Sequence, residues 1–271
     1  PRHIIPADVT GTSFAAHPFF EASSIRKIGE KYYFIYSSWQ NHELCYATSD
    51  YPDRDFVFGG TIVSNGDVGY QGRAEKDRLN MTGTTHGSIE NINGQWYVFY
   101  HRLTHKSDYS RQACAEPITI LPDGSIPQVE ITSCGLNGKP LEGKGTYPAV
   151  IACNITNGHM PHGSNKIYTD SFPNVTNCGE DRFVGGTMLG YKYFQFSGAK
   201  EIGIQYRGTC SGKFVVSDDI GCKNIVAEIP VTPAETWSEV RTALQIADGK
   251  HPLYLFFQGS GEAAVKELYL A

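Results

Sequence analysis

The sequence has no run of clustered lysine and arginine, and its formal net charge is only -5. Phosphate backbones are held by clustered basic side chains, so nucleic acid is not expected as a partner. No apolar stretch approaches the roughly 20 residues that a membrane helix needs, so no membrane partner is expected either. There is no CxxC pair. The seven cysteines stand apart at positions 45, 114, 134, 153, 178, 210 and 222. An odd, scattered set argues against a dense disulfide framework and favours a reducing setting. GxSxG, GxGxxG and GxxxxGK[ST] are all missing, which removes the nucleophile elbow and the glycine-rich phosphate cradles. His42-Glu43 lacks the second histidine of a metalloprotease helix, and no segment has the periodicity of a long amphipathic helix. The chain opens at Pro1 without a signal-like segment, as if cut from something longer.

What is present points to β-structure. Aromatic residues make up 12% of the 271, with 16 Tyr and 14 Phe, and 29 Gly and 14 Pro punctuate the chain. The stretch SSIRKIGEKYYFIYSSW, from Ser23 to Trp39, returns as GSIENINGQWYVFYHRL, from Gly87 to Leu103. The two align 64 residues apart without a gap, placing Ser24 over Ser88, Ile25 over Ile89, Tyr33 over Tyr97 and Tyr36 over Tyr100. Each copy reads as a hairpin, with Gly29-Glu30 and Asn93-Gly94 at the turns. Third strands are expected at Leu44 to Ser49 and Gln112 to Pro117. Fourth strands are expected near Thr61 to Ser64 and Gln128 to Thr132. Four antiparallel strands in a meander describe a propeller blade.

Around Leu136 to Gly145 the chain becomes rich in Gly, and a domain boundary is placed there. Seven short strand-like runs follow, at 191–196, 201–206, 212–217, 225–229, 238–244, 253–257 and 265–270, as in a sandwich or jelly roll. The fold class is therefore all-β: the last blades of an incomplete propeller at 1–140, then a β-sandwich at 145–271. Two blades alone would leave long edges and a bare apolar face, so the missing blades are expected on another polypeptide or on a longer chain. A sandwich built from the repeats is the alternative.

Blades direct the start of their innermost strand to the central axis, which makes the residues before each copy the candidates for chemistry. These are Phe19-Phe20-Glu21-Ala22 in the first copy and Thr84-Thr85-His86-Gly87 in the second, with Glu21 over Thr85 and Ala22 over His86. Two aromatic neighbours suggest a desolvated carboxyl at Glu21, able to act as a general acid; a solvated strand-edge glutamate is the plain reading. His86 suits a cation or sugar hydroxyls, or is a core histidine bonded to backbone. Arg111 offers a planar fork to a sugar or carboxylate, or is a surface arginine. His101, His105 and Cys114 are too few ligands for zinc. Tyr168 and Phe172 are candidates for an aromatic sugar platform in the second domain. Asn80-Met-Thr, Asn154-Ile-Thr and Asn174-Val-Thr are formal glycosylation triplets.

HPFFEASSIRKIGEKYYFIYSS, HELCYATS, TGTTHGSIENINGQWYVFYHR and SRQACAEPI together resemble glycoside hydrolase family 43 over about residues 1–140. The rest looks like a family 6 carbohydrate-binding module, through GYKYFQF, IQYRGTCSGKFVV and LYLFFQGSGEAAVKELYL. The resemblance implies a five-bladed propeller that cleaves β-xylosides or α-L-arabinofuranosides with inversion. It implies that Glu21 is the general acid, that His86 stands at a central calcium, usually through water, and that Arg111 binds sugar, with Phe20 and Thr85 beside the substrate. Its ligands would be xylo- or arabino-oligosaccharides. The family's two aspartates, one the general base, lie upstream of the glutamate, and Asp8 has no matching context. An inverting glycosidase needs two carboxyls, about 6.5–9.5 Å apart. The expectation is a C-terminal portion, inactive alone, whose partner is the set of missing N-terminal blades. The rival readings are a non-catalytic carbohydrate-binding protein and a structural or docking protein.

Overall fold

The computed structural model describes residues 3–80, 82–83, 85–104, 107–156, 168–169, 172–176 and 188–271. Their regular structure is almost entirely β-strand, in two compact units. The first unit is Pro1–Arg78, Thr82–Leu103 and Arg111–Ile131; the second is Leu79–Met81, Thr104–Ser110 and Thr132–Ala271. The second unit therefore begins ahead of the glycine-rich stretch at 136–145. Ser133 explains why: its N–H donates to the Lys192 carbonyl at 2.5 Å, and its hydroxyl accepts from the Lys192 N–H at 3.2 Å.

The first copy of the repeat forms a four-stranded antiparallel meander of β1 (Phe19–Ile28), β2 (Lys31–Ser38), β3 (Glu43–Ser49) and β4 (Val57–Ser64). The second copy forms β5 (Ser88–Ile92), β6 (Gln95–Thr104) and β7 (Ser107–Ile118), in that order across a three-stranded sheet. The turn of the second hairpin has φ 52° at Asn93 and 89° at Gly94. Positive φ at both central residues matches the twist of the flanking strands, and Asn-Gly adopts it at low cost. The Asn91 side chain closes the turn by accepting the Gly94 N–H at 2.9 Å.

The fourth strand expected at 128–132 is not there. Residues 126–131 run back to the first sheet instead, where the Val129 N–H donates to the Ile62 carbonyl at 2.8 Å. Two tyrosines of that sheet hold the return path. The Tyr46 hydroxyl accepts the Ile126 N–H at 2.9 Å, and the Tyr33 hydroxyl donates to the Gly124 carbonyl at 2.8 Å. The apolar pattern explains the detour, because Ile126 and Ile131 complete a core built from Ile35, Leu44, Ile62 and Val63 of the first sheet and Ile89 and Val98 of the second. Burial of each such side chain contributes about 1.5–3 kcal/mol. The opposite face of the first sheet packs Phe34, Tyr36 and Ala47 against Ile5 and Phe14 of the lead segment.

The second unit contains β8 (Leu141–Glu142), β9 (Gly145–Pro148), β10 (Asn154–Thr156), β11 (Tyr168–Thr169), β12 (Phe172–Thr176), β13 (Met188–Phe196), β14 (Glu201–Gly208), β15 (Ser211–Ser217), β16 (Ile225–Val231), β17 (Ala234–Ala243), β18 (Gly249–Ser260) and β19 (Glu262–Leu270). One sheet runs β10-β13-β18-β15-β16 with β8 beside β13; the other runs β11-β12-β19-β14-β17 with β9 beside β19. All seven expected strands are present, because each is a short β-branched or aromatic run bounded by turn residues. β13, β15 and β18 bury long runs that include Phe194, Phe214, Phe256 and Phe257. The three asparagines of the glycosylation triplets are all buried. Asn80 is part of the framework: its amide donates to the Cys153 carbonyl at 2.5 Å and accepts the Ile155 N–H at 2.7 Å.

Candidate active site

Glu21 sits where β1 is most irregular. Its register partner is Ser37, and the pairing shifts both between Phe19 and Glu21 and between Glu21 and Ser24. Ala22, between those shifts, has φ 60°. A non-glycine residue in the left-handed region is uncommon, and bulges of this kind re-aim a side chain. In the second copy the same place is set by a close approach. A Cβ on Gly87 would lie 1.9 Å from the Phe99 carbonyl oxygen, so only glycine lets the chain pass there and deliver His86.

These two devices bring three of the sequence candidates together. Oε1 of Glu21 lies 2.7 Å from Nε2 of His86. Nδ1 of His86 lies 3.2 Å from Nη1 of Arg111, on β7. Glu21 keeps 40% of its side-chain exposure and His86 34%, so the closed apolar setting expected for Glu21 is absent. The flanking rings turn elsewhere. Phe19 packs on Phe34 and Tyr36, and Phe20 lies 4.4 Å from Trp39, ring to ring. Trp39 is 64% exposed, so Phe20 and Trp39 form an aromatic shelf beside the strand pair that carries Glu21. Thr85 does not offer its hydroxyl to a ligand. It is fully buried and donates to the His101 carbonyl at 3.1 Å.

His101 packs edge-on against His86, with ring centroids 5.2 Å apart. It is only 8% exposed, and neither ring nitrogen has a partner among the described residues. Burial, followed by the charge of the Arg111 guanidinium, holds its pKa down at about 4, so the ring is neutral at neutral pH. The Ser37 hydroxyl, which the 64-residue frame places at the equivalent position of the first copy, is also buried without a partner among the described residues. One signal in the sequence pointed to His101, namely that its counterpart in the frame is the small polar Ser37. For Trp39 there was none beyond its place at a strand end.

The calcium implied at His86 does not suit the residues around it. Calcium takes six to eight oxygen ligands. The His86 nitrogens instead face a carboxylate and a guanidinium, and a fixed positive charge next to the ring opposes a dication. Of His101, His105 and Cys114, His105 lies outside the described residues. One other group has the right atom types: His17, Glu43 and Cys45, with donor atoms within 4.8 Å of one another. Its carboxylate is already saturated. Glu43 accepts from Nδ1 of His17 at 2.6 Å, from Ser38 at 2.5 Å and from Thr61 at 2.7 Å. Burial pushes the Glu43 pKa up, but the hydrogen bonds from His17, Ser38 and Thr61 outweigh it and hold the value at about 2. This is a completed structural network.

In the second unit Phe172 packs edge-on to Trp237 at 4.9 Å, and the Arg207 guanidinium lies 4.6 Å from the Trp237 ring centre. The side chain of Tyr168, the other half of the expected platform, lies outside the described residues.

No family model matches the chain. It is 43% identical over 290 aligned residues to a xylosidase/arabinosidase of Thermoclostridium stercorarium, covering all of this chain and 60% of that protein. It is 25% identical over 283 residues to an arabinoxylan arabinofuranohydrolase of Paenibacillus polymyxa, covering 96% of this chain and 42% of the relative. Among solved structures it is similar to a glycoside hydrolase family 43 arabinoxylan arabinofuranohydrolase of Bacillus subtilis, with 20% identity, a TM-score of 0.45, and coverage of 93% of this chain and 54% of that one. The chain thus spans less than two thirds of each relative's length. Along its whole length the chain is similar to proteins described as xylosidase/arabinosidase and arabinoxylan arabinofuranohydrolase.

Proposed function

We propose that this chain carries the general-acid part of a hemicellulose glycosidase acting on β-xylosides or α-L-arabinofuranosides with inversion. The observation that carries the reading is Glu21, set between two register shifts of β1 and bonded to His86 at 2.7 Å on an exposed rim. In this role Glu21 gives its proton to the glycosidic oxygen as the bond to the anomeric carbon breaks, and the bond pair goes to that oxygen. Water adds to the anomeric carbon and loses its proton to a second carboxylate. No residue of this chain is assigned as that base; in our reading it comes from blades outside these 271 residues. Arg111 and the Phe20–Trp39 shelf contact the sugar, and Thr85 supports the site from below through the His101 carbonyl.

The test is hydrolysis of aryl β-xylosides, aryl α-L-arabinofuranosides and natural oligosaccharides by the full-length protein, with Glu21→Gln. General-acid catalysis contributes about 10²–10⁴-fold. A loss of about 1,000-fold on natural oligosaccharides is expected, and wild-type rates would refute the assignment. The same assay on the 271-residue chain alone is expected to show no turnover. Turnover there would mean that a carboxylate within this chain acts as base.

The second reading is a sugar-binding role for the sandwich, favoured by Trp237 with Phe172 and Arg207 beside it. Xylo-oligosaccharides are expected to change the tryptophan fluorescence, and Trp237→Ala to remove the response. An unchanged response in that variant would refute the platform.

A further inference from the structure

We propose that Arg111 fixes the tautomer of His86 and, through it, decides which oxygen of Glu21 carries the acid proton. The inference rests on the reading of Glu21 as the acid. A guanidinium has five N–H donors and no acceptor. With Nη1 of Arg111 at 3.2 Å from Nδ1 of His86, Nδ1 must accept. The ring is then neutral, and its single proton is on Nε2, which donates to Oε1 of Glu21 at 2.7 Å. A proton on Oε1 would set two hydrogens against each other. The acid proton therefore belongs to Oε2, the oxygen left for substrate.

Among the described residues, three charged or titratable groups face the His86 ring: Glu21 from β1, His101 from β6 and Arg111 from β7. His101 is neutral and packs edge-on, so it adds no competing charge. In this arrangement His86 is a positioning residue. It does not touch the bond that breaks; it holds the rotamer and proton of the group that does. Without it the carboxyl can turn, and either oxygen can take the proton.

The first measurement is side-chain ¹⁵N NMR of the histidines in the full-length protein at neutral pH. His86 is expected to show the Nε2–H tautomer alone, and Arg111→Met to give a mixture of tautomers. An Nδ1–H form or an imidazolium in the wild type would overturn the proposal, as would an unchanged spectrum in Arg111→Met. So would a shift of the His86 ring signals on calcium titration, which would place an ion on that ring.

The second arm uses the full-length enzyme. His86→Gln keeps an N–H for Glu21, whereas His86→Leu removes it. His86→Leu is expected to lose about 100-fold on natural oligosaccharides, within the range of general-acid effects, and His86→Gln to recover at least about 10-fold of that. Equal losses in both variants, with melting temperatures unchanged, would refute positioning. If His86→Leu fails to fold, the comparison of His86→Gln with wild type and the NMR result still decide. The two readings fail separately. Full activity in Glu21→Gln with the Nε2–H tautomer present would sink the acid assignment, and with it the placement of the acid proton, and leave only the tautomer standing. A dead Glu21→Gln with an Nδ1–H ring would sink this inference alone.

Discussion

The two copies of the repeat share a frame and surround one buried titratable group each in different ways. In the first copy one titratable core group is Glu43, which accepts from His17, Ser38 and Thr61. In the second it is His101, buried almost as deeply, with both ring nitrogens unpartnered among the described residues. A hydrogen-bonded buried network rigidifies a fold. The difference separates framework from site more clearly than burial does, since Glu43 is 3% exposed and His101 8%.

The comparison can be broken most sharply at Glu43. Glu43→Ala leaves three donors facing a void and is expected to cost about 3–5 kcal/mol, as for removal of one partner from a buried charged pair. Chemical denaturation would measure it; a cost below about 1 kcal/mol, the scale of a surface ion pair, would mean that the network is not structural.

Acid should resolve the copies in sequence. His101 has a folded pKa near 4 against 6.5 in a free chain, so its contribution is complete above pH 6.5 and disappears as pH falls towards 4. Glu43 falls from 4.5 to about 2, so its contribution is complete above pH 4.5 and disappears towards pH 2. Each interval corresponds to about 3 kcal/mol at about 1.4 kcal/mol per pH unit. Stability measured against pH is expected to drop in two stages. His101→Gln should remove the upper stage and Glu43→Gln the lower. A single stage unaffected by either substitution would show that neither group controls acid unfolding.

A smaller effect is expected at His101 under neutral conditions. Replacing a buried unpartnered imidazole by Leu removes a desolvation cost of about 1–3 kcal/mol. Thermal melting should therefore rise or hold steady in His101→Leu while the proposed glycosidase activity of the full-length protein falls, the trade expected of a site residue. A large loss of stability would place His101 with the framework. The smallest effect is at Ala22, whose left-handed conformation costs about 1 kcal/mol. Ala22→Gly is expected to be neutral or stabilising by up to that amount; destabilisation would mean that the Ala22 methyl group packs.

Much of this was legible in the sequence. Asn93-Gly94 and the alternating Tyr and Phe of both copies specify hairpins through local sterics and burial, so their strands fall where expected. The convergence of Glu21, His86 and Arg111 follows from the repeat frame, which stacks the starts of two strands. Other features depend on distant contacts. Residues 126–131 look like a fourth strand because Ile126, Val129 and Ile131 punctuate a polar stretch, but their partner is chosen by Tyr33, Tyr46 and Ile62 of the other sheet. The openness of Glu21 depends on where Phe19 and Phe20 find aromatic partners, and adjacency in the chain does not reveal that.

The two sheets also meet through matching positions. Ser24 and Ser88, which are 64 residues apart, bond hydroxyl to hydroxyl at 2.8 Å. Arg26 pairs with Glu90 at 3.5 Å, at the same spacing in the frame. In such an arrangement a residue touches its own counterpart, so two identical copies would set like against like. Serine tolerates this, because a hydroxyl both gives and takes a hydrogen bond. Arginine does not, because two guanidiniums repel. At this seam a tandem duplication can keep its hydroxyls, but its charges have to diverge.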